Sequence, residues 1–99
     1  PSTPLAFYNS VFYNNVGDGL RWGTSSPKLF ILGCTFAHND SDGIELAVAP
    51  DPVFVHNCIS SNNGGYGINN SSGATASSIS RSHNLFYSNT SGKENGISD

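Results

Sequence analysis

The sequence predicts an all-β fold: a single-stranded right-handed parallel β-helix of about four turns, with about 24 residues and three short strands per turn. One observation behind this prediction is a column of asparagines and a column of glycines that share a 24-residue period, and each glycine precedes Leu or Ile. The two columns are Asn15, Asn39 and Asn63, and Gly19, Gly43 and Gly67. Such a period is typical of a solenoid, in which each repeat forms one turn.

Apolar pairs with one residue between them form a third column upstream of each copy. The pairs are Leu5 and Phe7, Leu29 and Ile31, and Val53 and Val55. Alternation with a period of two indicates short strands, and the Gly, Asn and Asp residues between them indicate corners. A small β-sandwich with coincidental spacing is the alternative, but three columns with one period favour the solenoid.

The fourth copy departs from this period. Asn84 to Asn89 arrive two residues late, and Gly96 with Ile97 arrives three residues later still. Arg81 stands where the other copies have an apolar residue, and the Ser-rich stretch 71–78 is expected to be an inserted surface loop.

Stacking explains why such a repeat should coil. No single short strand can bury a hydrophobic core, but turns stacked about 4.8 Å apart pair every strand with its copies above and below. Stacked asparagines can hydrogen-bond from turn to turn, and the three glycines allow corners that a β-branched residue would not tolerate.

The length and charge of the chain limit the classes of protein to which it can belong. Residues 1–99 are interpreted as a single β-helix domain, either a fragment or a short module of a longer β-helix protein. The chain has four basic residues in total, counting Lys and Arg together, and a net charge of −3. It is therefore not expected to bind nucleic acid. No apolar run is long enough to predict a membrane span.

Two segments carry a family resemblance: Gly33–Asn39 (GCTFAHN) and Asn63–Ile68 (NGGYGI). They resemble the parallel β-helix repeats of the pectin-lyase-like superfamily, which occur in polysaccharide lyases, polygalacturonases, adhesins and phage tailspikes. The resemblance implies an extracellular or cell- or virion-surface location. It also implies that the strand at each Gly–aliphatic pair forms one face, along which a sugar polymer lies in the enzymes. The outward residues of that face would be Arg21, Glu45, Asn69 and Ser98.

The catalytic motifs of the polygalacturonase-like enzymes in this superfamily are absent from the sequence. It contains no Asn-Thr-Asp, Gly-His-Gly or Arg-Ile-Lys signature. The predicted ligand-binding residues are therefore Arg21, Glu45 and Asn69, together with Trp22. For Trp22, packing in the terminal turn is the alternative to a sugar platform.

Asp18, Asp40 and Asp42 form the predicted metal site, at which calcium would bind weakly. Solvated aspartates that serve turn geometry are the alternative, and no other cofactor is expected. Cys34 and Cys58 share one column. We expect them to be a reduced, inward-facing pair, with a disulfide as the alternative.

Two functions remain open on the sequence. The first is a non-catalytic β-helix module of a carbohydrate-facing protein, such as an adhesin, tailspike or scaffold, with a polysaccharide as its partner. The second is a fragment or divergent member of a polysaccharide lyase or hydrolase that acts on an acidic polysaccharide, with Arg21 and Glu45 on the sugar face. A short solenoid would also self-associate through its exposed ends.

Overall fold

A computed structural model of the chain describes residues 4–23, 28–48, 52–72 and 79–97. These ranges contain twelve β-strands and no helix. Consequently, nothing in the described part of the chain is a helix suited to crossing a membrane. The strands are β1 (Leu5–Tyr8), β2 (Val11–Tyr13), β3 (Leu20–Trp22), β4 (Leu29–Leu32), β5 (Thr35–Ala37), β6 (Ile44–Leu46), β7 (Val53–His56), β8 (Ile59–Ser61), β9 (Tyr66–Asn70), β10 (Ile79–Ser82), β11 (Leu85–Tyr87) and β12 (Gly92–Asn95).

The strands form three parallel sheets of four strands each, which is the predicted solenoid. The first sheet has the order β1-β4-β7-β10, the second β2-β5-β8-β11 and the third β3-β6-β9-β12. Leu29 pairs with Val53, 24 residues later, and Val53 pairs with Ile79, 26 residues later. The 24-residue period is confirmed. The β-sandwich alternative is wrong, because every strand pairs in parallel with its own copy.

Alternating side chains of each strand point into the solenoid and stack on their copies. In β4, Leu29 and Ile31 are fully buried, whereas Phe30 and Leu32 are only partly buried. The rings of Phe12 and Phe36 stack in the core with centroids 4.8 Å apart. This separation equals one step between strands, so these two copies of the repeat place like residue on like residue.

The predicted asparagine stack is present and lies at the corner between the second and third sheets. We call it the asparagine ladder, and its members the ladder asparagines. The backbone N–H and the Nδ2 group of Asn39 donate to Oδ1 of Asn63, at 3.0 and 2.9 Å. Asn39 Nδ2 also donates to the carbonyl oxygen of Phe12, at 3.1 Å. Asn15 repeats this pattern one turn earlier by donating to Oδ1 of Asn39, and Asn63 repeats it one turn later by donating to Oδ1 of Asn89. Each amide therefore satisfies backbone groups that the corner leaves without a strand partner.

The repeated glycines are required by close stacking rather than by their backbone angles. None of Gly19, Gly43 and Gly67 has a positive φ. A Cβ atom on Gly19 would lie 2.6 Å from the carbonyl oxygen of Gly43, and one on Gly43 would lie 2.7 Å from that of Gly67. Any side chain at these positions would push the turns apart.

The prediction for the fourth turn is wrong in its register. The last strand is β12, Gly92–Asn95, and Asn95 rather than Ser98 is the partner of Asn69. The pair Gly96–Ile97 follows this strand, because Gly96 has a φ of 72° and leaves the extended conformation. Ser98 and residues 73–78 of the Ser-rich stretch lie outside the described residues.

The irregular Arg81 is explained by a second charged residue in the same turn. Arg81 pairs with Val55 and Glu94 pairs with Ile68, so both occupy columns that are apolar in the other turns. Arg81 Nε lies 2.5 Å from Glu94 Oε2, and the two side chains are only 12% and 11% exposed. A charge-assisted pair thus covers the apolar core at the fourth turn.

Among the described residues, nothing covers the first turn in this way. Its core residues Phe7, Phe12 and Leu20 are only partly buried, because no described turn packs on their other side. Leu5 at the same end is 39% exposed. Self-association through the ends stays a prediction, and the apolar first turn is where we expect it.

Candidate functional site

The predicted outward column on the third sheet exists, and we call it the third-sheet face. Strand pairing aligns Arg21 with Glu45, Glu45 with Asn69, and Asn69 with Asn95. The fold therefore brings three predicted ligand-binding residues together, with Asn95 in the place expected for Ser98.

Polar groups on the third-sheet face are engaged with one another. Arg21 Nε lies 3.3 Å from Glu45 Oε1, and Ser71 Oγ donates to Glu45 Oε2 at 2.9 Å. Asn95 Nδ2 donates to Asn69 Oδ1 at 3.1 Å. A ligand that used this face would have to displace these internal contacts.

Trp22 does not lie on this face. It pairs with Leu46 in an inward column and is only 6% exposed, as part of the hydrophobic core. Its Nε1 atom is buried and has no partner among the described residues. This position matches the packing alternative, because the ring has no free face on which a sugar could stack.

Three acidic residues form a cluster, but they are not the three that were predicted. Carboxylate oxygens of Asp18, Asp42 and Glu45 lie within 4.8 Å of one another, whereas Asp40 is not part of the group. Asp18 Oδ1 accepts the backbone N–H of Asp42 at 2.9 Å, and Asp42 Oδ1 accepts that of Tyr66 at 2.7 Å. Two of the carboxylates therefore support the turns, and a weak calcium site stays a prediction.

Asp40 instead lines a groove at the corner between the second and third sheets, which we call the corner groove. The groove runs across all four turns and has a volume of about 550 Å³. Its floor includes the buried ladder residues Asn39 and Asn63. Its exposed lining consists of Asn14, His38, Asp40, Asn62, Gly64, Ser88 and Thr90.

The rim of the corner groove offers polar groups that are not used within the protein. Among the described residues, the side chains of Asn14, Asn62, Ser88 and Thr90 make no hydrogen bond to the rest of the chain. The backbone holds them outward, because Asn14, Asn62 and Ser88 all have φ between 53° and 59°. The side chains of Asn14, Asn62 and Ser88 therefore lie one or two turns apart along one side of the groove.

Aromatic and apolar side chains lie beside the groove, on the outer face of the second sheet. Tyr13 is 55% exposed, and its ring meets that of His38 edge-on, with centroids 5.3 Å apart. Tyr87 occupies the same column at the fourth turn and is 57% exposed. The groove therefore combines hydrogen-bonding groups with an apolar flank.

Comparison with known families agrees with this geometry. Residues 3–98 match the family described as right-handed beta helix region. The chain belongs to the right-handed β-helix family. No curated protein and no solved structure matches the chain. Family membership confirms the fold, while the function has to be argued from the site.

The two cysteines of this right-handed β-helix protein are structural. Cys34 and Cys58 are buried and free, so the reduced alternative is the one present. Cys58 Sγ donates to the carbonyl oxygen of Ile31 at 3.4 Å, and Asn84 Nδ2 makes the equivalent bond to Val55 at 2.8 Å. Burial raises the pKa of the Cys58 thiol, which makes it a poor nucleophile.

Sequence reasoning missed the corner groove for an identifiable reason. Its rim column is Asn14, His38, Asn62 and Ser88, which vary in type and so do not form a visible repeat. The available signal was their position, since each directly precedes a ladder asparagine. Alternation would place such a residue outward whenever the asparagine points inward.

Proposed function

We propose that this β-helix is a non-catalytic, carbohydrate-binding module of an extracellular or surface protein, and that an elongated glycan lies in the corner groove. The observation that carries the proposal is the row of unused amide and hydroxyl groups along the groove. Hydroxyl-rich polymers are recognised by such neutral donors and acceptors. The third-sheet face is the weaker candidate, because its polar groups already bind one another.

The shape of the groove supports a linear ligand. It reaches from Asn14 in the first turn to Ser88 and Thr90 in the fourth. Neighbouring turns are about 4.8 Å apart, so these residues offer contacts at regular steps along one straight line. A polymer can meet several such steps at once, whereas a small molecule would contact one or two.

The chemistry of the groove supports binding without turnover. Hydrolysis of a glycosidic bond ordinarily needs two carboxyl groups on either side of the scissile bond. Asp40 is the single carboxylate among the described residues that line the groove. Asp18, Asp42 and Glu45 form a separate cluster, in which Asp42 and Glu45 accept hydrogen bonds from Asn69 and Ser71.

Titration calorimetry with linear oligosaccharides tests the proposal. The variant Asn14→Gly with Asn62→Gly removes both rim amides and keeps the backbone angles, since glycine adopts positive φ without strain. Two hydrogen bonds of about 1 kcal/mol each predict a loss of affinity of about 30-fold. The matched control, Arg21→Ala with Asn95→Ala, changes the third-sheet face and should leave the affinity within about twofold.

Two results would overturn the proposal. Equal loss of affinity in the groove variant and in the control would show that the groove is not the binding site. Release of shortened or unsaturated products during incubation would show that the protein is an enzyme, as in the lyase or hydrolase alternative.

A further inference from the structure

We infer that the ligand of the corner groove is an uncharged oligosaccharide chain, long enough to reach from Tyr13 to Tyr87. This inference rests on the proposed function and names the class of sugar and the residues that set its length. It differs from the acidic polysaccharide of the enzymatic alternative, and it follows from the charges and aromatic residues around the groove.

The described lining of the groove lacks the Arg and Lys side chains that an acidic polymer needs. Carboxylate groups on a ligand are ordinarily bound by Arg or Lys, often through paired hydrogen bonds. The described residues that line the groove include neither Arg nor Lys, and they include the carboxylate of Asp40. A chain of uronic acids would therefore place negative charge beside Asp40, in a protein with a net charge of −3.

Both arginines are held elsewhere by carboxylates. Arg21 pairs with Glu45 on the third-sheet face, and Arg81 pairs with Glu94 inside the fourth turn. Lys93 lines a separate hollow of about 110 Å³ that also contains Tyr87 and Ser88. This hollow shares Ser88 with the groove, but one lysine at the Tyr87 end cannot neutralise a polymer that carries a charge on each unit.

The outer face of the second sheet offers an apolar surface instead. Val11, Ile59 and Leu85 share one outward column on this face and are 68%, 41% and 57% exposed. The face directly borders the groove, because Tyr13 precedes the rim residue Asn14. An uncharged sugar chain fits both surfaces. Its hydroxyl groups can hydrogen-bond to the rim, and its carbon-bound hydrogens can pack on the apolar face.

Tyr13 and Tyr87 mark the two ends of that surface. Strand pairing places them in one column, with Ala37 and Ser61 between them. Three steps of about 4.8 Å separate the two tyrosines by about 14 Å. Tyrosine suits both kinds of contact, since its ring is apolar and its hydroxyl can hydrogen-bond. Ala37 and Ser61 have shorter side chains than tyrosine, so neither is long enough to block a ligand that rests on both rings.

A length series of uncharged hexose oligosaccharides, set beside a matching series of uronic acid oligomers, tests this inference by calorimetry. Affinity for the uncharged series should rise until the chain spans both tyrosines and then level off. Tyr87→Ala should lower the affinity of the longest oligomers by about tenfold and leave that of the shortest unchanged. Tyr8→Ala is the matched control, because Tyr8 is 59% exposed but lies on the first sheet.

The outcomes separate this inference from the function on which it rests. Tighter binding of the acidic series, abolished by Asn14→Gly with Asn62→Gly, would overturn the uncharged ligand and keep the groove. Affinity that rises with length equally in the wild type and in Tyr87→Ala would overturn the role of the tyrosines. No binding of either series at any length would overturn the proposed function itself.

Discussion

The corner groove and the third-sheet face are both rows of polar side chains stacked on successive turns, yet they differ in how those side chains are used. On the third-sheet face, Arg21 meets Glu45 and Asn69 meets Asn95. On the rim of the groove, Asn14 and Asn62 make no side-chain hydrogen bond to the described part of the chain. The same architecture thus produces one row that stabilises itself and one that remains open to a ligand.

The difference follows from the backbone at the two places. Residues in the middle of a strand point straight outward and lie about 4.8 Å from their copies, so long polar side chains reach each other. Rim residues such as Asn14 and Asn62 stand at positive φ, next to a ladder asparagine that already fills the hydrogen bonds of the corner. A stacked polar row is therefore a candidate binding site only where its own geometry leaves the groups unpaired.

The largest expected effect separates the floor of the groove from its rim. Asn63→Ala removes an amide that donates to the carbonyl of Phe36 at 3.1 Å and accepts from Asn39 at 2.9 Å. Because buried partners would be left unsatisfied, we expect a loss of about 3 kcal/mol in the free energy of unfolding. Urea denaturation measures it. The neighbouring change Asn62→Gly should cost less than about 1 kcal/mol, and an equal cost would erase the distinction between floor and rim.

A much smaller effect is expected on the third-sheet face. Arg21→Ala breaks the ion pair with Glu45, in which the two side chains are 61% and 22% exposed. Exposed pairs contribute little because water and salt screen them, so the free energy of unfolding should fall by less than about 0.5 kcal/mol. Urea denaturation at low and high salt measures the change. A loss of several kcal/mol would mean that this face holds the solenoid together.

The sequence was sufficient for the architecture because a solenoid repeats its constraints. The spacing of Asn15, Asn39 and Asn63 reflects a physical contact between turns, and so does that of the glycines. Each column is therefore visible as a repeat without any knowledge of the structure.

Other features could not be predicted, because they depend on register or on contacts between unlike residues. Arg81 and Glu94 pair inside the fourth turn although they are 13 residues apart in the chain. The register of β12 depends on backbone pairing with β9, so the pair Gly96–Ile97, which follows the strand, was misleading. Trp22 was a predicted ligand-binding residue with packing as the alternative, and the alternation within β3 turns it into the core.

Nuclear magnetic resonance of the side-chain amides tests the central claim most directly. The ¹⁵N-labelled protein would be titrated with an uncharged linear oligosaccharide, and the side-chain NH₂ signals of four asparagines would be followed. We predict that the signals of Asn14 and Asn62 shift in a saturable manner while those of Asn69 and Asn95 stay in place. Shifts confined to Asn69 and Asn95 would contradict the account, because the ligand would then lie on the third-sheet face.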